Sequence, residues 1–178
     1  MPYRLLLAEN TVQAANVVAS TAAETAFASV VPIPGNTDVL SRAGRFYRLR
    51  ADGYMGSLVT TPGTLTLKIK WGSTILASTG AVQLPASAMT NKHWEFVAGI
   101  LVATTGTSGK IACQGGGLID ANGAPISFGF VNTGTGATGQ ITVNTQTAAN
   151  ISVTAQFSIS DAANTITLAQ LLVEQLAG

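Results

Sequence analysis

Histidine and cysteine, the side chains that most often carry chemistry, occur once each in this chain, as His93 and Cys113. A catalytic triad needs a nucleophile beside an activating base, and a zinc site needs several ligands at short spacings. The sequence contains neither a CxxC nor an HxxxH spacing. We expect His93 to be a surface or packing residue and Cys113 to be a small core hydrophobe, with no metal and no cofactor.

The acidic side chains are the next candidates, because glycoside hydrolysis uses two carboxylates that flank the scissile bond. The chain has eight acidic residues, but no two of them lie close in sequence in its main body. Asp52, Glu95 and Asp120 would have to be brought together by the fold. The spacing therefore predicts that the protein is not an enzyme.

A GxGxxG motif at residues 134–139 resembles a dinucleotide fingerprint in spacing alone. A dinucleotide site needs a helix that begins inside the motif, so that the helix N-terminus meets the pyrophosphate. The residues that follow, Gln140 to Asn144, instead alternate in the manner of a strand. The motif therefore predicts a flexible loop.

Basic residues are concentrated in two segments, with four arginines within nine positions and two alternating lysines further along. If these segments are neighbouring strands, their outer faces form one cationic patch. Nucleic-acid binding would use such a patch with interleaved aromatic residues. The pI near 7.9 instead favours an acidic protein surface or another subunit, with no nucleic acid. With three residues of the N-terminal segment, the predicted contact surface consists of Arg4, Leu5, Leu6, Arg42, Arg45, Arg48, Arg50, Lys68 and Lys70.

The two tryptophans, Trp71 and Trp94, are candidates for binding sugars, because exposed aromatic residues on sheets stack on sugar rings. The alternation places Trp71 on the same face as Leu65, Leu67 and Ile69. A core position for Trp71 is therefore the favoured interpretation.

The composition indicates a single domain that associates with other subunits. A chain of 178 residues can bury roughly 70% of the surface that its unfolded form exposes. Charged residues make up only 10% of it, the net charge is +1 and the mean hydropathy is +0.37. A weakly charged surface favours association. An obligate assembly is the favoured interpretation, and a large apolar core under a coat of Ser, Thr, Asn and Gly is the alternative.

The cysteine content and the lengths of the apolar runs indicate the compartment in which the protein is expected. A single cysteine excludes an intramolecular disulfide. The apolar run at the start is too short for a signal peptide, and no later run approaches the ~20 residues that cross a bilayer. We expect a protein released into the cytosol, with no membrane partner.

The strand pattern predicts an antiparallel β-sandwich preceded by an N-terminal arm at residues 1–23. Eight to ten short strands alternate with turn residues, which is typical of a sandwich. The clearest hairpin runs from Thr64 to Leu84 around Gly72-Ser73. The segment Trp94 to Thr105 is apolar on both parities, which predicts a strand covered on both faces.

The segment from Asn150 to Leu172 predicts a long hairpin in the middle of a sheet. Apolar residues occupy alternate positions from Ile151 to Ile159, and residues 161–164 supply turn chemistry. The hydroxyl-rich parity, which includes Ser152 and Thr154, is expected to pack against another subunit. The last ten residues also fit a helical period, but strand to about Glu174 is preferred.

The order of segments resembles the virion structural proteins of tailed bacteriophages, in particular small jelly-roll-like capsid decoration (cement) proteins. The resemblance covers residues 24–174 and rests on strand patterns and on phrases such as Trp94-Glu95-Phe96 and Ala163 to Leu168. It implies a homotrimer that binds the major capsid protein on the outer capsid surface after synthesis in the host cytoplasm. A receptor- or carbohydrate-binding module of a tail fibre is the alternative.

From these observations we expect an all-β protein, a jelly-roll-like antiparallel β-sandwich at residues 24–178 behind the arm. The expected function is to bind and stabilise a phage capsid. Such a protein holds by many weak contacts summed over a lattice. It requires a fitting surface and no reaction.

Overall fold

The computed structural model describes residues 4–10, 17–19, 22–35, 42–57, 63–134 and 139–176, with side chains from residue 22 onwards. Every element in this part is a strand, and all the pairings are antiparallel. In chain order the strands are β1 (Arg4–Asn10), β2 (Val17–Ala19), β3 (Thr25–Ile33), β4 (Arg45–Ser57), β5 (Thr64–Trp71), β6 (Thr74–Ser78), β7 (Val82–Gln83), β8 (Met89–Thr104), β9 (Gly109–Ile119), β10 (Ile126–Asn132), β11 (Ile141–Val143), β12 (Ala149–Phe157) and β13 (Thr165–Leu176).

One hydrogen-bonded path joins these strands in the order β1-β13-β4-β8-β9-β10-β6-β5-β12-β3. Strand β10 links its two halves, because Ile126–Phe130 pairs with β9 while Val131 and Asn132 pair with β6. The last strand, β3, approaches β1, β2 and β13 at the other end of the path. The sheet is therefore nearly closed into a barrel-like shape.

The all-β antiparallel class is thus confirmed. The finer description as a two-sheet sandwich with a jelly-roll arrangement stays a prediction, since the hydrogen bonds run continuously from one half to the other. The short β11 and β7 lie off the main path, against β9 and β5.

The core fills the inside of the rolled sheet. Strand β5 shows how the sequence builds it, because Leu65, Leu67, Ile69 and Trp71 are buried while the residues between them are half-buried. Across the interior, the ring of Phe27 on β3 stacks on Trp94 of β8 with 6.1 Å between centroids. This contact joins strands from the two halves of the path.

The hairpin around Gly72 is confirmed. Strands β5 and β6 pair on either side of Gly72-Ser73, and Gly72 has a φ of 56°, which a residue without Cβ adopts at no cost. The preference for strand at the end of the chain is also confirmed, because β13 runs to Leu176.

The predicted hairpin between Asn150 and Leu172 is wrong. The two strands form, as β12 and β13, but β12 pairs with β3 and β5, while β13 pairs with β1, β2 and β4. Strand β12 ends at Phe157, and Ile159, expected in the core, is 37% exposed. The seven residues between the strands therefore carry the chain from one half of the sheet to the other.

The predicted arm at residues 1–23 contains both of the first strands. Arg4–Asn10 pairs with the end of β13, and Val17–Ala19 pairs with the start of β13, along the same edge and in the same direction. In this chain the N-terminal segment thus extends the sheet beside its own last strand. Whether it also contacts a neighbouring subunit stays a prediction.

Candidate functional site

Strands β13, β4 and β8 lie side by side and turn one parity of their residues outward. Across this surface Leu172 lies opposite Arg50, and Arg50 opposite Val97, while Phe46 lies opposite Leu101. We call this surface the outer face; it consists of Phe46, Arg48, Arg50, Asp52, Glu95, Val97, Gly99, Leu101, Leu172 and Glu174.

Three large apolar side chains of the outer face are exposed. Phe46 and Val97 expose 39% of their surface and Leu101 exposes 37%, whereas the inward residues Leu49 and Ile100 expose none. The prediction that β8 is covered on both faces is therefore wrong for the single chain. The residues of β8 that alternate with the buried ones include the apolar Val97 and Leu101. Nothing in the described part of the chain lies over these two side chains.

Gly99 leaves room for the ring of Phe46 at the centre of the outer face. A Cβ at this position would lie 2.6 Å from Cζ of Phe46, so the ring of Phe46 rests on the Gly99 backbone. Gly116 on β9 lies opposite Val97, and Gly129 on β10 lies opposite Gly116; a Cβ at Gly129 would meet no atom closer than 3.9 Å. Backbone is therefore exposed beside the outer face, next to Val97.

The outer face carries charged side chains of both signs. Arg50 Nη2 lies 3.4 Å from Glu95 Oε2, and both side chains remain well exposed, at 50% and 37%. Arg48 is the cross-strand neighbour of Glu174. Arg48, Arg50, Glu95, Val97, Leu172 and Glu174 together line a shallow cleft. Asp52, the cross-strand neighbour of Glu95, lies on the same parity, so two positive and three negative side chains share this surface.

The two lysines of the predicted contact surface lie elsewhere, on the outward parity of β5. The carboxylate of Glu24, just before β3, accepts hydrogen bonds from the Lys68 ammonium and, at 3.1 Å, from Lys70. The Thr154 hydroxyl donates a third at 3.0 Å. The hydrogen bond from Lys68 is the main reason that the Glu24 pKa falls to about 2, and desolvation opposes it.

The expected single cationic patch does not form. It required β4 and β5 to be neighbours, but β8, β9, β10 and β6 separate them along the sheet. Arg48 and Arg50 lie among acids on the outer face, and Lys68 and Lys70 bind the chain's own Glu24. The acidic partner predicted for these lysines is thus supplied from within the chain.

The remaining residues of the predicted surface are spread over other places. Arg42 is exposed ahead of β4, and Arg45 is half-buried at its start. Arg4, Leu5 and Leu6 lie on β1, and their side chains fall outside the described part of the chain. Among the predicted residues whose side chains the structure describes, only Arg48 and Arg50 lie together on the outer face.

The hydroxyl-bearing parity of β12 is covered by the chain itself. Ser152 and Thr154 are 9% and 3% exposed, and the segment leading into β3 contacts Thr154 and Gln156. Gln156 Nε2 donates to the Ala22 carbonyl at 2.7 Å, and Thr154 binds Glu24. The expectation that these hydroxyls pack against another subunit is therefore wrong for Ser152 and Thr154.

The residues considered above as candidates for catalysis or metal binding mostly have packing contacts. Cys113 is 1% exposed, and burial raises the pKa of its thiol to about 12, as expected of a core hydrophobe. His93 is half-buried, and its ring meets Tyr54 edge-on at 6.1 Å, which agrees with a packing role. Asp52 and Glu95 are cross-strand neighbours, whereas the Asp120 amide donates to the His93 carbonyl at 2.8 Å.

The two tryptophans are both in the core, as predicted for Trp71. Trp94 is fully buried, and its indole N–H donates to the Thr167 carbonyl at 3.1 Å. Trp71 is 4% exposed, and its Nε1 has no partner among the described residues. Neither ring is available to stack on a sugar.

The GxGxxG segment is only partly described, since residues 135–138 lie outside the described part. Gly134 and Gly139 flank it, and the strand expected after it is confirmed as β11. Among the residues that the structure describes, no three His, Cys, Asp or Glu side chains form a group able to hold a metal ion.

Sequence reasoning missed the residues that give the outer face its character, namely Phe46, Val97, Leu101 and Glu174. The alternation in β4 already placed Phe46 beside Arg48 and Arg50. A second signal was present in β8, where Val97 and Leu101 share the parity of Glu95. The strand order that joins these positions was not accessible from the sequence.

No family model, no curated protein and no solved structure matches this chain. The described residues include no helix with the length and apolar character needed to cross a bilayer. The functional interpretation therefore rests on the geometry of the outer face and on the resemblance in the strand pattern.

Proposed function

We propose that this protein is structural and acts by associating with other protein subunits, as a capsid decoration (cement) protein of a tailed bacteriophage. In this role it binds the major capsid protein on the outer surface of the capsid and stabilises the shell. The supporting observation is the outer face, where Phe46, Val97 and Leu101 are exposed among charges of both signs. The resemblance of residues 24–174 supplies the capsid as partner, the virion as location and a homotrimer as the assembly.

Physical reasons favour association as the basis of function. Contiguous apolar groups on a surface usually mark sites of protein contact, whereas single exposed apolar residues need no explanation. Phe46 and Leu101 are direct cross-strand neighbours, and Val97 lies before Leu101 on β8, with Gly99, on which the Phe46 ring rests, between them. With 10% charged residues in the chain, little electrostatic repulsion opposes close packing of copies on a shell.

Binding to a capsid lattice also lowers the affinity that each single contact must have. When many copies bind adjacent sites, weak contacts add up to tight attachment without any single strong site. A sheet surface with exposed apolar residues and charges of both signs suits such contacts. The alternative, a carbohydrate-binding module, loses its main support because Trp71 and Trp94 are buried.

Co-sedimentation tests the proposal. Purified protein is mixed with capsids assembled from the major capsid protein of the same genome and without decoration, and the pellet is measured. We expect saturable binding at a fixed ratio to the capsid protein, together with a higher temperature of shell disruption. Bovine serum albumin at the same concentration serves as the control for trapping. Absence of the protein from the pellet at every concentration tested contradicts the proposal.

The N-terminal segment is tested in the same assay. Deleting residues 2–20 removes β1 and β2, so the shortened protein must first show a cooperative thermal transition. If the segment grips the shell, the folded deletion variant binds more weakly. Unchanged binding removes the segment from the attachment mechanism.

A further inference from the structure

We propose that Asn122 is a site of spontaneous covalent modification. Its side-chain amide leaves as ammonia after attack by the backbone nitrogen of Gly123, and the acidic product releases a contact between the β9–β10 turn and residues 84–88. The inference does not depend on the proposed function, because it concerns only the chemistry of one turn and the contact that this turn makes.

Asn122-Gly123 is the only Asn-Gly pair among the 178 residues. Glycine has no Cβ, so its backbone nitrogen can approach the side-chain carbonyl carbon of the preceding asparagine without hindrance. Every other asparagine except Asn91, which precedes a lysine, precedes a threonine, valine or isoleucine, and these β-branched side chains hinder the approach. The sequence therefore makes Asn122 the asparagine most open to this reaction.

The pair lies in an open position, in the turn between β9 and β10. Both residues are exposed, and a Cβ at Gly123 would meet nothing within 4 Å apart from its chain neighbours. Asn122 has a φ of 56° and Gly123 a φ of 87°, in the left-handed region that an asparagine adopts only at some cost in free energy. Water can therefore reach the turn, and no packing around Gly123 prevents a change of conformation.

In the folded turn, hydrogen bonds hold both nitrogens of the reaction. Asn122 Nδ2 donates to Ser87 Oγ at 3.2 Å and to the Ala88 carbonyl at 3.1 Å, and the Gly123 N–H donates to Asp120 Oδ1 at 3.2 Å. Attack requires the Asn122 side chain to turn towards the Gly123 nitrogen, which breaks these bonds. They slow the reaction without preventing it, because local opening of an exposed turn costs far less free energy than global unfolding.

The chemistry needs only water and hydroxide. Hydroxide removes the proton of the Gly123 amide, and the nitrogen forms a bond to Cγ of Asn122. The Cγ–Nδ2 bond then breaks, and the nitrogen leaves as ammonia with one proton taken from water, which gives a cyclic imide. Water opens the ring at either of its two carbonyls, to an aspartate at position 122 or to an isoaspartate whose main chain runs through the former side chain. No oxidant or reductant takes part.

The product cannot keep the contact. Nδ2 of Asn122 donates to the Ala88 carbonyl, whereas a carboxylate at the same place has no proton to donate and meets the carbonyl oxygen. The new negative charge also lies in the same turn as Asp120. Residues 84–88 lead from β7 into β8, so their release loosens the start of β8. Because no reverse reaction restores the amide, the change is permanent in each copy.

Peptide mapping by mass spectrometry tests the site. The purified protein is kept at mildly alkaline pH, and conversion of asparagine to aspartate and isoaspartate is followed at each position. We expect Asn122 to react at least about tenfold faster than Asn144 and Asn150, which are also exposed.

A serine variant tests the hold on the side chain. Ser87→Ala removes one acceptor for Asn122 Nδ2 and is expected to speed the reaction about fivefold, the factor that corresponds to one net hydrogen bond. The matched control is Ser127→Ala, which changes an exposed serine of β10 that is not a hydrogen-bond partner of Asn122. This control is expected to leave the rate unchanged.

A pair of aspartate variants tests the release. Asn122→Asp places the charge of the product in the turn, and we expect a lower melting temperature and faster hydrogen exchange at residues 86–89. Asn144→Asp is the matched control, because Asn144 Oδ1 accepts a hydrogen bond from the Gln146 N–H at 2.9 Å and a carboxylate accepts the same bond. It adds the same charge without removing a donor.

Three results overturn the inference. The first is a rate at Asn122 no greater than the rates at Asn144 and Asn150. The second is the same rate for Ser87→Ala as for Ser127→Ala. The third is an Asn122→Asp variant whose melting temperature and hydrogen exchange equal those of Asn144→Asp.

Discussion

The Glu24 carboxylate lies 3.1 Å from the Lys70 ammonium and also binds Lys68, so an acid just before β3 holds the outer surface of β5. Thr154 of β12 donates to the same carboxylate. One side chain therefore ties together β5, β12 and the segment that leads from β2 into β3.

The Glu24 cluster predicts a dependence of stability on pH. The folded pKa, about 2, lies below the ordinary value of 4.5, so the ionised cluster stabilises the fold fully above pH 4.5. This contribution is lost as the pH falls from about 4.5 towards 2. Glu24→Gln is expected to cost about 1 kcal/mol at pH 7, since the side chain is partly exposed, and nearly nothing at pH 2. Urea unfolding at both pH values measures the difference, and an equal cost at both would contradict the assignment.

Replacing each tryptophan by phenylalanine is expected to lower the free energy of unfolding by different amounts. Trp94→Phe removes a hydrogen bond to the Thr167 carbonyl, whereas Trp71→Phe removes an N–H that has no partner in the described part of the chain. Each change deletes the same atoms, so the lost apolar contacts are similar. We expect Trp94→Phe to cost about 1–3 kcal/mol more in free energy of unfolding. Equal losses in chemical denaturation would argue against the Trp94 hydrogen bond.

Two glycines of β9, Gly115 and Gly117, have no room for a side chain. A Cβ at Gly117 would lie 2.1 Å from the Glu95 carbonyl oxygen, and one at Gly115 would lie 2.4 Å from that of Val97. Gly117→Ala is therefore expected to destabilise by at least about 2 kcal/mol, as forced overpacking does. Gly129→Ala, on the open side of β10, is the control and is expected to be tolerated. Thermal melting of the two variants gives the comparison.

Cys113 predicts slow thiol chemistry in the folded protein. Burial leaves the side chain 1% exposed and raises its pKa to about 12, so thiolate is scarce at pH 8. We expect labelling by a disulfide reagent to be slower than in denaturant by orders of magnitude. Rapid labelling of the native protein would show that β9 opens readily, and Cys113→Ser, which carries no thiol, controls for background.

Local patterns were enough to predict most strands and their buried parity. Leu65, Leu67 and Ile69 alternate with polar residues, and the alternation reports directly which side faces the core. Burial of Trp71 followed from the same pattern. The class of the fold was predictable for this reason, because it depends on the periods of individual segments.

Pairing between distant strands was not predictable in this way. Turn residues near Asp161 look the same whether the chain reverses into a hairpin or crosses to another part of the sheet, so β12 and β13 were wrongly paired. The cationic patch failed for the same reason, since it assumed that β4 and β5 are neighbours. The outer face depends on the order β13-β4-β8, which joins segments separated by much of the chain.

The edge shared by β1, β2 and β13 has a consequence for synthesis. Arg4–Asn10 pairs with Leu171–Leu176, so the earliest strand of these 178 residues has no place in the sheet until nearly all of them have left the ribosome. Pairings between such distant segments form slowly, because a long loop must close before any contact rewards it. During translation the first strand therefore remains unpaired. The sheet can be completed only after the last strand has been synthesised.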